Sequence, residues 1–253
     1  MSTYFISDLH LSDHQPHLLK LFKYFIESIL QPHDTLYILG DFFEYWIGDD
    51  QTSHVVNHTK QVLKTLARRQ IQWYFLAGNR DFLLGKKFLA ETHGELLAEK
   101  TVVSLGAHRV LLLHGDTLCT NDLAYQAWRR KVQQKWLQKL FLILPLSWRQ
   151  SIANRMRQKS MMQGQQLTLD MMDVEEKAVQ EDLNAYQVNT MIHGHVHRPG
   201  IHIFRNEQGL SFTRYVLADW GTMGNFLRYD GQQFDLVYFN LDSNEKKYDF
   251  KKT

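Results

Sequence analysis

Short apolar runs alternate with amphipathic stretches along the first half of the chain. Tyr4-Phe5-Ile6, Thr35 to Leu39, Ile71 to Leu76 and Arg109 to Leu113 are brief and rich in branched and aromatic residues, which predicts buried strands. Between the first two, His17 to Leu30 carries Leu18, Leu19, Leu21, Phe22, Phe25 and Ile26 at helical spacing and is closed by Pro32. His54 to Arg69 predicts a second helix, and a third is expected near Asp81 to Thr92, with a further strand before Arg109. Strands and helices in alternation predict an α/β fold.

The strands end alike, in a small residue beside a carboxylate, amide or imidazole. The blocks are Ser7-Asp8-Leu9-His10, Gly40-Asp41, Gly78-Asn79-Arg80-Asp81 and His114-Gly115-Asp116, then His193-Gly194-His195-Val196-His197 after the apolar run Val188 to Ile192. In open α/β sheets the loops at the carboxyl ends of the strands converge on one edge. Asp8, His10, Asp41, Asn79, His114, His195 and His197 are therefore expected to meet there. Taken alone, the His-x-His pair fits solvated loop histidines as well as it fits a metal site.

From Thr120 to about Gln187 the alternation stops. No strand is predicted, and Leu123 to Leu169 contains no Asp or Glu but nine Lys and Arg, from Arg129 to Lys159. Aromatic and aliphatic residues are interleaved with them. This predicts a helical cap, 120–187, inserted in a single domain spanning 1–253 and turned toward anionic lipid or an anionic substrate. The plainer alternative is a solvated basic face on ordinary core helices. Gly200 to Phe204, Leu210 to Ala218, Phe226 to Tyr229 and Phe234 to Phe239 then predict a second sheet packed on the first, followed by a basic tail.

A net charge of +2 says little about partners, but its concentration in the cap does. One cysteine, Cys119, excludes an intramolecular disulfide and fits a reducing compartment. Met1-Ser2-Thr3-Tyr4 does not resemble a signal peptide, and the longest apolar run, Leu140 to Leu146, is far below the roughly 20 residues of a membrane span. A cytosolic protein, at most peripheral to a membrane, is expected.

The seven convergent residues offer oxygen and imidazole nitrogen but no thiolate. That excludes a cysteine-type zinc cage and suits Mn²⁺, Fe²⁺, Zn²⁺ or Mg²⁺ at an open site. Seven ligands are too many for one catalytic ion and fit two ions sharing a carboxylate. Such a pair, about 3.5–4 Å apart, clamps the attacking and leaving oxygens of an in-line phosphoryl displacement, with a hydroxide as nucleophile.

Asp8-x-His10, Gly40-Asp41, Gly78-Asn79, His114 and Gly194-His195-x-His197, in that order on strand ends, resemble the calcineurin-like metallophosphoesterase superfamily. The resemblance implies two packed mixed β-sheets flanked by helices, with the helical cap as an insertion. It places Asp8, His10 and His197 on one ion, Asn79, His114 and His195 on the other, and Asp41 on both. The longer blocks Gly40 to Asp50, Gly78 to Gly85, His114 to Thr120 and His193 to Pro199 resemble one branch, the pyrophosphatases of lipid A synthesis in Gram-negative bacteria. What this implies is cleavage of UDP-2,3-diacylglucosamine into UMP and 2,3-diacylglucosamine 1-phosphate, with two Mn²⁺ per chain, at the cytoplasmic face of the inner membrane. No nucleic-acid partner is expected, since the apolar stretches of the cap fit lipid better, and the chain is expected to act as a monomer.

Arg80 bears on the chemistry. Many members of the superfamily carry His after the Asn, where it can protonate an alkoxide leaving group. Arginine cannot act as an acid at neutral pH but can grip phosphate oxygens with two hydrogen bonds. A phosphate leaving group needs no proton, so attack on the UMP phosphorus with the lipid phosphate departing is expected. The resemblance further implies Asn79, Arg80 and His195 near the phosphate and Asp122 and Ser160 on the glucosamine. The pattern has Asn and Lys where this chain has Gly164 and Leu167, so those two contacts do not carry over. Trp46, Phe82, Leu84, Tyr125, Trp128, Leu137, Phe141, Ile152 and Met156 are the expected lining of an acyl-chain chamber. Asp81 and Asp116 are expected to orient ligands or to serve ordinary turns, and His193 to support the site.

Overall fold

The computed structural model describes residues 1–164, 174–205, 209–241 and 243–247, and of 159–164 and 243–247 only the backbone. The first half builds parallel strand–helix units. β1 (Thr3–Ile6) leads to α1 (Pro16–Tyr24), which has Pro16 in its first turn, where a missing N–H costs nothing, and buries Leu18, Leu21 and Phe22. The helix expected through Leu30 widens at Phe25–Ile29 into one π-type turn, closed by Leu30 N donating to Phe25 O at 3.2 Å. β2 (Thr35–Leu39) follows, then α2 (His54–Arg68), capped by Ser53 Oγ accepting from Val56 N at 3.3 Å. β3 (Gln72–Leu76) precedes α3 (Lys86–Thr92), which starts five residues later than expected because the loop from Asp81 makes its own bonds. β4 (Gly94–Leu96) ends this half.

β5 (Lys100–Leu105) and β6 (His108–Leu113) form a hairpin. Four helices follow: α4 (Leu123–Val132), α5 (Lys135–Ile143), α6 (Leu146–Gly164) and α7 (Glu176–Ala185). β7 (Thr190–His193), β8 (Gly200–Arg205), β9 (Ser211–Val216), β10 (Gly224–Tyr229), β11 (Phe234–Asn240) and β12 (Ser243–Lys247) complete the described chain. One sheet runs β12-β11-β10-β1-β2-β3-β4 and the other β5-β6-β7-β9-β8. The C-terminal strands are thus divided. β8 and β9 join the second sheet as expected, whereas β10 to β12 return to the first, β10 lying antiparallel to β1.

The alternation of side chains along each strand explains the layering. Tyr4 and Ile6 face a core shared with α1, α2 and α3, while Phe5 between them faces Leu112, Ile192 and Leu227 in the space between the sheets. Leu111 and Met191 point to the outer face of the second sheet, against Val179 and Leu183 of α7. The architecture is helix, sheet, sheet, helix. α7, expected within the cap, instead covers the second sheet, because its two buried aliphatics supply the partner that face requires.

α4 and α5 bury no residue, and Trp136, Ile143 and Trp148 are 59%, 78% and 63% exposed. α6 is pinned by Arg149, which is buried and donates to Ile47 O at 2.6 Å and to Leu144 O at 2.9 Å while pairing with Asp50. Among the described residues no helix is long and apolar enough to cross a membrane. Hydrogen bonds from a charged donor contribute about 1.5–3 kcal/mol each. Arg149→Met should therefore raise amide exchange in α5 and α6 by about tenfold or more and leave β2 and β3 unchanged; equal exchange in α6 of variant and parent would refute this anchoring.

Candidate metal centre

Each of the seven expected metal ligands follows a strand. Asp8 and His10 follow β1, Asp41 follows β2, Asn79 follows β3, His114 follows β6, and His195 and His197 follow β7. To turn side chains back over the sheet edge, the backbone takes left-handed conformations at Asp8 (φ 56), His10 (φ 49), Asp41 (φ 50), His195 (φ 70) and His197 (φ 53). Such conformations at non-glycine residues cost of order 1–3 kcal/mol each and persist only where the surroundings impose them. Here bonds between loops do so. Asp8 N donates to Gly40 O at 3.1 Å, His10 N to Asp41 O at 3.0 Å, Gly194 N to His114 O at 2.8 Å and Trp220 N to Asp8 O at 3.0 Å. The small residue in each block has a physical reason as well. A Cβ on Gly78 would fall on the Asp41 carboxylate, and one on Gly194 on that of Asp8.

The donors fall into two groups around Asp41. His10 Nε2 lies 4.0 Å from both Asp8 Oδ1 and Asp41 Oδ2, and His197 Nε2 is 3.3 Å from Asp8 Oδ1. On the other side Asn79 Oδ1 is 2.9 Å from His114 Nε2 and 3.1 Å from His195 Nδ1, and His114 Nε2 is 3.6 Å from Asp41 Oδ1. Each oxygen of Asp41 thus faces one group. Asp8 leans the same way, with donor atoms grouped with His10 and His197 and also with Asp41 and His114. Both ring nitrogens of His10 are buried without a hydrogen-bond partner. Buried polar atoms are normally satisfied, so this orphan, aimed at two carboxylates, marks a place that a cation completes.

The electrostatics agree. Burial pushes the Asp41 carboxyl up to about 7; His114 opposes this, and the neighbouring Asp81 and Asp8 add to it. Burial would also raise Asp8, but the hydrogen bond from His197 and the fields of His114, His197 and His10 hold it below the usual carboxylate range. Burial works against a proton on His114, yet Asp41, Asp8, Asp116 and the Leu39 carbonyl raise it to about 9. Both its nitrogens face acceptors, Leu39 O at 2.9 Å and Asn79 Oδ1 at 2.9 Å, as a doubly protonated ring requires. Burial lowers His10 to about 3, and holds His195 well below its ordinary value, so both stay neutral with a lone pair to donate.

Asp81 is fully buried and accepts from Gly78 N at 2.8 Å and Phe42 N at 2.7 Å, tying the loop of Asn79 to that of Asp41. Arg80 N donates to Asp41 Oδ1 at 2.9 Å, its Nε is 3.5 Å from Asp41 Oδ2, and its Nη1 donates to Glu44 Oε1 at 2.7 Å. Glu44, not anticipated from the sequence, also pairs with Arg157 Nε at 2.9 Å and lies 3.7 Å from His10 Nδ1. Its place in the block Gly40 to Asp50 was a signal that could have found it. Arg157 is one basic residue among many in the cap, and nothing in its spacing singles it out. His193 is fully buried, with Arg214 3.3 Å from its Nε2.

The expected chamber residues separate into two sets. Trp46 and Leu84 are 2% and 4% exposed and belong to the helix-side core, where Trp46 packs on Phe43 and Phe88 with ring centroids 4.7 and 5.0 Å away. They are core residues because the loops after β2 and β3 that carry them pack together with Phe88 and Leu89 of α3. Tyr125 lies against the centre, its ring 6.2 Å from that of His195 and its hydroxyl donating to Asp116 Oδ2 at 2.7 Å. Phe82, Trp128, Leu137, Phe141 and Ile152 are half-buried, and Met156 is exposed. Asp122 caps α4, accepting from Tyr125 N at 2.9 Å. The side chain of Ser160 and all of Leu167 lie outside the described residues, as does the side-chain environment of Gly164.

Residues 1–199 match the family model described as calcineurin-like phosphoesterase. The chain is 45% identical over 235 residues to a UDP-2,3-diacylglucosamine hydrolase of Histophilus somni, covering 93% of this chain and 99% of that protein. A protein of the same name from Haemophilus influenzae is 46% identical, covering 86% and 90%, and one from Escherichia coli 43% identical, covering 94% and 99%.

The protonated state of His114 yields a prediction. A ligating imidazole must give up its proton, and a ring with a pKa near 9 still carries it at pH 7.5. Titration of Mn²⁺ into metal-free protein at pH 7.5 should release about one proton or more, seen calorimetrically as heat that scales with buffer ionisation enthalpy. Uptake heats independent of buffer would contradict it.

Proposed function

The chain belongs to the calcineurin-like phosphoesterase family and, within it, to the UDP-2,3-diacylglucosamine hydrolases, and we propose that it cleaves the pyrophosphate of UDP-2,3-diacylglucosamine to UMP and 2,3-diacylglucosamine 1-phosphate. The observation that carries this reading is the pairing of a two-sided donor cluster around Asp41 with an arginine, Arg80, at its rim. Asp8, His10, Asp41 and His197 would hold one Mn²⁺ and Asp41, Asn79, His114 and His195 the other, a donor set of oxygen and imidazole nitrogen that suits this ion. Two such ions supply Lewis acidity at the phosphoryl oxygens and make water acidic enough to attack near neutral pH.

The protein's own groups do the rest. Arg80 lies beside Asp41, so its guanidinium can grip the oxygens of the departing lipid phosphate with two charge-assisted bonds. It needs no proton to give, because that phosphate leaves as a stable anion. Glu44 keeps Arg80 and Arg157 aligned before substrate arrives. Tyr125 closes the side next to His195. The half-buried cap residues Trp128, Leu137, Phe141 and Ile152 form the chamber for the acyl chains, where each buried methylene contributes about 0.8 kcal/mol; Asp122 and Ser160 hold the glucosamine. Exposed Trp136, Ile143 and Trp148 beside Lys135 and Lys139 suit contact with anionic lipid at the cytoplasmic face of the inner membrane, where a monomer would meet its substrate.

With Mn²⁺ present the protein should release UMP from the diacylated UDP-sugar, and in ¹⁸O-water the label should appear in UMP. Label in the lipid phosphate would move the attack to the other phosphorus. Arg80→Ala should lower kcat by about 10²–10³, the range for losing a charge-stabilising donor, and Asp41→Ala should abolish turnover. Full activity in either variant would refute the role of the residue it removes.

A further inference from the structure

A second cavity adjoins the centre on the side of His10. It measures about 140 Å³ and lies between the loops after β1 and β2, the start of α2 and the first turns of α6. Glu44 forms the common wall, since it lines the cavity and its Oε2 is 3.7 Å from His10 Nδ1. The chemistry of this cavity differs from that of the cap. Its floor is apolar, with Leu11, Phe43 and Val55 buried beneath it. Its rim carries the neutral hydrogen-bonding groups of Tyr45, Gln51 and Gln150 together with His14 and two carboxylates, Glu44 on the side of the centre and Asp13, which accepts from Val55 N at 2.8 Å. Among the described residues no Lys or Arg lines it, which disfavours a phosphate, and its volume is well below the roughly 300–1,000 Å³ of drug-sized sites, which excludes an acyl chain. A flat, uncharged ring with polar edges fits an apolar floor with two amides at the rim, and the carboxylates of Asp13 and Glu44 further disfavour an anion.

We propose that this cavity is the base subsite of the enzyme, that it takes the uracil ring of the nucleotide half of the substrate, and that Gln51 and Gln150 select uracil by its edge. This rests on the function proposed above. Gln51 Oε1 accepts from Ile47 N at 3.4 Å, which leaves its NH₂ group to donate. Gln150 Nε2 donates to Tyr45 Oη at 2.7 Å and to Asn154 Oδ1 at 3.2 Å, which leaves its carbonyl to accept. Uracil offers carbonyl oxygens on either side of an N–H, so one amide can donate to a carbonyl while the other accepts from the ring N–H. Cytosine presents an amino group and an unprotonated ring nitrogen on that edge and reverses the match. The two halves of the substrate then diverge from the centre: the base goes past Glu44 to this cavity, and the acyl chains go under the cap. Because α6 supplies both Gln150 and Arg157, the same helix touches the base subsite and the phosphate rim.

The test uses the full chain loaded with Mn²⁺ and measures binding of UMP, CMP and inorganic phosphate by calorimetry. The wild type should prefer UMP to CMP by about tenfold, the worth of one or two hydrogen bonds. Gln51→Leu and Gln150→Leu should each weaken UMP by about five- to tenfold and erase the preference, with phosphate affinity within twofold of wild type. Thr52→Trp, at an exposed position on the rim, should block UMP without reaching the core. It carries the test if a glutamine variant folds poorly. Equal affinity of the wild type for UMP and CMP, or unaltered UMP affinity in Thr52→Trp, would overturn the subsite. Failure of the wild type to release UMP from the diacylated UDP-sugar would instead overturn the proposed function, so the two failures are distinguishable.

Discussion

A carboxylate buried between two sets of imidazoles organises this molecule. Asp41 is 2% exposed, raised in pKa by its own burial, and has one oxygen toward His10 and the other toward His114. An isolated buried carboxylate is costly, and the fold accepts this one because Arg80 N and the Arg80 guanidinium meet it and because Asp81 ties down the loops on either side. The left-handed backbone at Asp8, His10, Asp41, His195 and His197 is a second cost of the same arrangement. The two sheets and their three apolar cores supply the stability against which both costs are set.

How far the sequence could be read follows from where the physics is local. The strand ends were legible because the same local event recurs: a buried apolar run, then a glycine or serine close to a neighbouring loop, then a donor. Gly78 and Gly194 show the reason, since neither has room for a Cβ beside Asp41 and Asp8. The split of the C-terminal strands was not legible. Phe226 and Phe239 have the same local character as Phe212, and only the contact of β10 with β1 sends them to the first sheet. By sequence α7 reads as part of the cap for lack of neighbouring strands, whereas Val179 and Leu183 commit it to the second sheet. Trp46 and Leu84 show the same limit: an aromatic or aliphatic residue near a site reads the same whether it lines a chamber or fills the core.

The rim of the site joins the loop after β2 to α6. Glu44 accepts from Arg80 of the core and forms an ion pair with Arg157 of α6, while Arg149 fastens the start of the same helix to the loop after β2. These two contacts hold α6 beside the centre, although α4 and α5 bury nothing of their own. Trp136, Ile143 and Trp148 stay exposed on these helices, a surface that the proposed diacylated substrate would explain.

The proposed function turns on Asp41 being shared by two metal sites. Crystals grown with Mn²⁺, measured for anomalous scattering at the manganese edge, test this most directly. Two peaks are expected, one between Asp8, His10 and His197 and one between Asn79, His114 and His195, each within bonding distance of a different oxygen of Asp41. A single peak, or two peaks of which one lacks Asp41 as a ligand, would contradict it.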